Sequence, residues 1–450
     1  MAAEEALLDQ LSSFDREERR QALSALVKEK PHAPPPRPQV NMHVHTFFSF
    51  NGEGWSPTRV VWEARRQALY AVAACDFDVL DALEETFEAA DLLGVRAAVG
   101  FESRVFFEEY RDHEINSPGE PGVFYFMGMG FRERPPEGTP AADGFRDMQD
   151  RAHQRNRDLI ERINERLDGL ALDYENDVLP LTPAGNATER HIVRSYFEKA
   201  LEEKGGEEAA AAYWAKQLDE DPAEMKTAIQ DRNGFMNLLR SRLMKRGGLA
   251  YVQPTEETFP PLDTVIEMIR GCRAIPMSTW LDGTRSGEAK PREQLECLMA
   301  KGVEAVNIVP DRNWNLEDPE ERERKVAELH RYVQVANSLD LPINVGTELN
   351  KPGQRFVDDF EAAPMKPLAA TFLKGAQIMV GHTRLLRYAD VSYIDEAANQ
   401  EFASRKARNE FFAAVGALPA PDRTVCRRLT EHGPEKAYGY IRDCVVKGRW

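Results

Sequence analysis

The sequence predicts an α/β protein: one large β/α barrel of about eight strands with helical additions. Three observations predict it. From residue 40 onward, short apolar runs alternate with amphipathic helical stretches, the pattern of βαβ units. The strand candidates number about eight, the count a closed or nearly closed barrel needs. Imidazoles, carboxylates and guanidinium groups recur just after those runs, at the carboxyl ends where parallel barrels carry their chemistry.

Bulk properties agree with this class. At 450 residues the chain exceeds the usual size of one domain, which suits a large barrel with insertions, and its 42% apolar content supplies the core. The 58 basic and 75 acidic residues leave a net charge of −17. Such a charge repels a phosphodiester backbone and disfavours non-specific nucleic-acid binding, while a small anion remains acceptable in a locally basic pocket. Cys75, Cys272, Cys297, Cys426 and Cys444 are scattered and read as reduced thiols of a cytosolic protein. The opening Met1-Ala2-Ala3-Glu4-Glu5 carries acid where a signal peptide needs base. No apolar run approaches the ~20 residues of a membrane span, so a soluble, cytoplasmic chain is expected.

Residues 1–38 are read as an arm. Leu7, Leu8, Leu11, Phe14, Leu23, Leu26 and Val27 recur at helical spacing, with Ser12 and Asp15 as a capping box for a second helix. Pro31, Pro34, Pro35, Pro36 and Pro38 then impose a stiff extended connector. The arm is expected to pack on the main body or on a partner subunit, which leaves a homo-oligomer open. The barrel is assigned to residues 39–450. In Asn41-Met42-His43-Val44-His45-Thr46 apolar and polar residues alternate, so His43 and His45 share one face of a strand and could grip a divalent cation. A loop with Gly52, Gly54 and Pro57 follows, and Ser56 caps a helix from Thr58 to Ala68. Leu69 to Cys75 reads as a buried parallel strand that stops at Asp76-Phe77-Asp78. A helix from about Asp81 to Leu93 leads through Gly94 to a strand from Val95 to Phe101, ending at Glu102. Three adjacent strands thus deliver His43, His45, Asp76, Asp78 and Glu102 to one rim, with Asp78 better suited to capping the next helix.

Val123 to Met129 is a further strand, 132–150 a loop, and Arg151 to Leu167 an amphipathic helix with Leu159, Ile160, Ile163 and Leu167 on one face. Thr188 is a credible cap for a helix through Ala200 that carries Arg190 and His191 in its first turn. Residues 201–248 are helical and charged, so a helical insertion is expected over about 151–248. Four strand candidates follow: Cys272 to Trp280, Val303 to Val309, Leu341 to Thr347, and Gln377 to Val380. They end in Asp282; in Asp311, Arg312 and Asn313; in Glu348 and Asn350; and in His382 and Arg384. Helices are expected around 292–301, 318–338 and 361–374, and the tail from 396 to 450 is helical.

The set His43-Val44-His45-Thr46 with Ser49, then Asp76-Phe77-Asp78, then Gly100-Phe101-Glu102 resembles the polymerase and histidinol phosphatase (PHP) family. The similarity continues through Thr188-Glu189-Arg190-His191, Val309-Pro310-Asp311-Arg312-Asn313 and Gly346-Thr347-Glu348-Leu349-Asn350, and looks like a stand-alone, full-length branch. The resemblance implies a distorted seven-stranded barrel, so the expected fold is a seven- or eight-stranded, TIM-barrel-related one. It implies two or three zinc, manganese or iron ions at the rim, activating water for phosphoester hydrolysis. By position His43 and His45 match the family's first ligand pair, and Glu102 its bridging carboxylate. Departures are equally specific. Phe77 stands where the family has a ligand histidine, and Tyr125 near the place of a later one. Ser278-Thr279-Trp280 replaces an Ala-His-Pro-like segment, and Glu348-Leu349-Asn350 an Asp-x-His. The resemblance therefore implies fewer ions than the full set, in a site of His43, His45 and Glu102 completed by Asp76, His191 or Glu348.

Two functions are expected from this. One is a metal-dependent phosphoesterase acting on a small phosphorylated substrate, with Asp76 and His191 beside the ion and Arg190, Arg312 and Arg355 orienting phosphate oxygens. The alternative is a non-catalytic barrel that binds a small molecule or serves as a structural or regulatory partner.

Overall fold

Seven strands form one sheet in chain order: β1 (Val40–Val44), β2 (Ala71–Phe77), β3 (Ala97–Phe106), β4 (Val123–Met129), β5 (Ile275–Trp280), β6 (Ala305–Ile308) and β7 (Ile343–Val345). They belong to a computed structural model that describes residues 2–30, 32–255 and 257–450. Met1, Pro31 and Glu256 lie outside the described residues, so one proline of the expected connector is not placed. Backbone pairing between β1 and the chain just past β7 brings the sheet round into a nearly closed barrel. His45 N–H donates to Glu348 O at 2.8 Å, and Glu348 N–H donates to His43 O at 2.8 Å. To make this pairing Glu348 and Leu349 take φ of 65° and 52°, a left-handed conformation that costs a non-glycine residue about 1–3 kcal/mol.

Two expectations about the sheet need correction. β4 is antiparallel to both neighbours, so the ring is not uniformly parallel. The connection from β3 to β4 carries only a short turn of 3-10 helix, with no long crossover helix to return the chain to its starting end. The candidate strand Gln377 to Val380 is instead the middle of one helix, Ala369–Ala389, which removes the eighth strand. A short apolar run cannot be told from a buried helix by periodicity, and this helix is buried on most sides. Gly375 and Gly381 allow close approach to neighbouring backbone. A Cβ on Gly381 would lie 1.9 Å from Phe412 O in the tail helix Arg405–Ala417, and one on Gly375 1.7 Å from Ile343 O in β7.

Most helix signals correspond to real caps. Ser56 caps Pro57–Arg66, Thr188 caps Glu189–Lys204 and Asp318 caps Pro319–Ser338. In the arm the cap of Arg16–Glu29 is Asp15 alone, accepting from Glu17 and Glu18 N–H, rather than a Ser12–Asp15 box. The helix expected from Arg151 begins at Pro140, capped by Thr139, because the Pro in its first turn is compatible with a helix start. The arm packs on the barrel: Leu11, Leu23 and Leu26 share an apolar cluster with Val60 and Val61, and Arg19 Nε donates to Glu85 Oε1 at 2.9 Å. Between β4 and β5, residues from Leu159 to Ala250 build a separate apolar cluster around Trp214, Tyr196, Phe197 and Phe235. No helix among the described residues is long and apolar enough to cross a membrane.

Candidate metal centre

β1 turns His43 and His45 toward the barrel interior from its carboxyl end, as period-two alternation demands. Glu102 lies opposite Phe77, the last residue of β2, so it is level with that rim although β3 runs on to Phe106. Glu102 is therefore mid-strand rather than terminal, because β3 continues into its antiparallel pairing with β4. Glu102 Oε2 is 3.4 Å from His43 Nε2 and 3.3 Å from His45 Nε2. Their ligand atoms all lie within 4.8 Å of one another, forming the one such metal-capable group of three or more found among the described residues. All three side chains are buried, at 0%, 0% and 1% exposure. Both Nε2 atoms and both Glu102 oxygens lack a hydrogen-bond partner. Four orphaned polar atoms converging in a dry interior are costly unless a cation satisfies them. Two imidazoles and a carboxylate are the donor types that divalent zinc, manganese or iron accept. The residues present therefore fit a divalent cation. Burial alone would raise the Glu102 carboxyl; the adjoining His43 and His45 reverse this and hold it below the usual carboxylate range, as an anion.

The other predicted site residues are arranged around this centre and not in it. Asp76 Oδ1 accepts from Thr46 N–H at 2.7 Å and from Ser49 Oγ–H at 2.6 Å, and Oδ2 accepts from Thr46 Oγ1–H at 2.7 Å. His45 Nδ1 is 3.1 Å from Ser49 Oγ. Asp76 thus orients the His45 imidazole through Ser49. Asp78 does not cap the following helix, whose N-cap is Ala82. Its carboxylate accepts from Ser103 Oγ–H at 2.5 Å instead, and its φ of 61° is left-handed. His191 is spent on its own helix, where Nδ1 accepts from Thr188 N–H at 3.1 Å, and its ring meets Phe50 edge-on at 5.3 Å. Burial pushes His191 down to about 3, so it is a neutral packing residue. Glu348 pairs with Arg312 at 2.6 Å. Arg190 bonds Asn237 Oδ1 and has no carboxylate partner among the described residues; burial, then Arg240, brings it down to about 10. Arg355 is exposed and lies over the Trp314 ring at 5.3 Å.

Of the positions that depart from the PHP pattern, Phe77 and Tyr125 set aromatic carbon beside the centre. Phe77 stacks on His45 with ring centroids 4.5 Å apart and faces Tyr125 at 6.2 Å. Trp280 turns away into the core and stacks on Tyr332 at 4.6 Å. Asn186, from the loop before the Glu189–Lys204 helix, donates to Phe48 O at 3.0 Å and Phe77 O at 2.8 Å, which ties the insertion over the centre.

Three participants were missed in the sequence. Arg104 lies two residues beyond Glu102 on the same face of β3 and pairs with Glu120 at 3.1 Å and Glu189 at 3.8 Å. Glu189 is shared with Arg240 at 2.7 Å and Lys245 at 2.8 Å, so cations from the insertion gather beside Arg104. Asn307 and Asn344 stand under His43 in otherwise apolar β6 and β7, and a lone amide in such a strand was the available signal.

No family model and no curated protein matches the chain. Solved structures similar to parts of it include an amidohydrolase from Chromobacterium violaceum with bound sulfate and no metal, 16% identical with a TM-score of 0.48, covering 71% of this chain and 91% of that one. A second, assigned as a metal-dependent phosphoesterase from Bifidobacterium adolescentis, is 17% identical with a TM-score of 0.43, covering 75% and 98%. A two-domain protein from Bacteroides vulgatus, described as containing a predicted PHP-like metal-dependent phosphoesterase, is 21% identical over 23% of this chain and 31% of that one, with a TM-score of 0.16.

Proposed function

We propose that the chain is a metal-dependent hydrolase acting on a small phosphorylated substrate, with one divalent cation (zinc, manganese or iron) at the His43–His45–Glu102 centre. The observation that carries this reading is the set of unpartnered nitrogen and carboxylate atoms converging in a fully buried place. A cation bound there would lower the pKa of a coordinated water and offset charge on phosphoryl oxygens. The chain's own residues do the rest. Arg190, which forms no ion pair among the described residues, feels Glu189 and Glu348 only at a distance. It is suited to bind a phosphate oxygen. Arg312 is 44% exposed while pairing with buried Glu348, and can offer its remaining donors to the same anion. Phe77 and Tyr125 exclude water from the His45 side. Substrate reaches the centre by displacing Phe77 or the loop that Asn186 pins to it.

One observation favours a second reading. Phe77 covers His45 so closely that the centre is sealed, as in a non-catalytic barrel with a structural or small-molecule-binding role. Elemental analysis of the purified chain and of His45→Ala, with a phosphoester screen in added manganese or zinc, separates the two. The hydrolase reading expects about one metal per chain, lost in the variant, together with turnover. No metal and no turnover moves the assignment to the second reading.

A further inference from the structure

His43 and His45 look interchangeable, but the hydrogen bonds behind them differ. Asn344 Nδ2 lies 2.9 Å from Met42 O and 2.9 Å from Asn307 Oδ1. A backbone carbonyl only accepts, so the amide nitrogen of Asn344 must face Met42; turned over, its oxygen would sit against that carbonyl. The atom of Asn307 that meets the same nitrogen must then be its oxygen. This leaves the Asn307 NH2 facing His43 Nδ1, 3.1 Å away. His43 Nδ1 is therefore an acceptor, and in the neutral ring the proton sits on Nε2, on the Glu102 side.

Behind His45 the sense is reversed. Asp76 is an acceptor-only carboxylate, and at 2.6 Å it takes the single proton of the Ser49 hydroxyl. Ser49 Oγ then accepts from His45 Nδ1–H at 3.1 Å, and the His45 Nε2 lone pair faces Glu102. A lone pair and a carboxylate 3.3 Å apart repel unless a cation lies between them.

We infer that the two imidazoles have opposite tautomers: His45 Nε2 and Glu102 are the lone-pair donors to a cation, and His43 is a positioning residue whose Nε2 carries a proton on the Glu102 side, 3.4 Å away and without a hydrogen bond. This rests on the proposed metal centre for the role of the cation, though the tautomers themselves do not. For His43 to ligate through Nε2, the Asn307–Asn344 relay would have to turn over against Met42 O.

The test uses the metal-free, ¹⁵N-labelled full chain and long-range proton–nitrogen correlation of the imidazole rings. His43→Gln and His45→Gln assign the two residues. The expected spectrum has His43 protonated on Nε2 and His45 on Nδ1; a His43 ring protonated on Nδ1 overturns the inference. Asn307→Asp presents an oxygen to each neighbour and should move the His43 proton to Nδ1. An unmoved proton in the folded variant counts against the relay. On titration of the wild-type chain with zinc, the Nε2 resonance of His45 should shift while His43 keeps its Nε2 proton, and loss of that proton overturns the assignment of ligands. Tautomers as stated in a chain that takes up no zinc support the relay and sink the hydrolase reading instead.

Discussion

Replacing Asp76 tests whether it supports the centre or belongs to it. Asp76→Ala removes the acceptor of three buried hydrogen bonds, from Thr46 N–H, Thr46 Oγ1–H and Ser49 Oγ–H. Bonds to a charged acceptor contribute about 1.5–3 kcal/mol each, and the freed hydroxyls can partly re-pair, so a net loss of about 4 kcal/mol in unfolding free energy is expected. Ser49, released from Asp76, can turn its proton toward His45 Nδ1 and drive the ring to the tautomer without an Nε2 lone pair. Zinc affinity should then fall by about 10–100-fold, the usual effect of losing an orienting carboxylate. Asp76→Asn keeps Oδ1 for Thr46 N–H and Ser49 Oγ–H, and sets an NH2 against Thr46 Oγ1, which can accept it. Asn should therefore cost about 1 kcal/mol and leave zinc affinity within a factor of about three. Urea unfolding and calorimetric zinc titration of both variants give the two numbers. If Asn loses zinc as severely as Ala, Asp76 touches the ion and the account of it as an outer support is refuted.

Other perturbations follow from the same geometry. Phe77→Ala removes the ring that lies 4.5 Å from His45, and should speed removal of bound metal by a chelator at least tenfold, at about 2 kcal/mol in stability for a half-buried aromatic. Gly381→Ala forces a Cβ to 1.9 Å from Phe412 O and should lower the thermal midpoint by wedging the tail helix off Ala369–Ala389. His382 is pushed down to about 4 by burial, with Nε2–H donating to Gly130 O and Nδ1 accepting from Tyr393 N–H. Its folded pKa is below the unfolded value, so the unfolded chain takes up the proton first and stability falls as pH drops from about 6.5 to 4. By pH 5 that loss is about 2 kcal/mol, and His382→Gln, which does not titrate, should show a correspondingly shallower decline in urea midpoint.

Local signals carried most of the barrel. Ser56 and Thr188 mark helix starts because a cap needs only its own next turn. The β4 limits were legible too, but not its direction, since alternation is the same read either way along a strand. Gln377 to Val380 misled because an all-round buried helix loses the polar face that identifies helices, and its glycines signal contact rather than termination.

The centre divides along the same line. His43 and His45 are two residues apart, and their shared face follows from strand geometry alone. What distinguishes them is not local: Asn307 lies 264 residues from His43 along the chain, and Asp76 reaches His45 only through Ser49. Asp76 and His191 were expected on the ion because a polar residue at a strand or helix end can serve as ligand, cap or support equally well by type. Only its partners decide, and three donors already occupy Asp76 while Thr188 occupies His191. Phe77 makes the same point in reverse. Read as a lost ligand it argues against a metal, yet its ring against His45 also keeps water from a carboxylate and lone pair that need a cation all the more in a dry place. On the proposed reading, the Phe77 ring therefore strengthens the demand for a cation between His45 and Glu102.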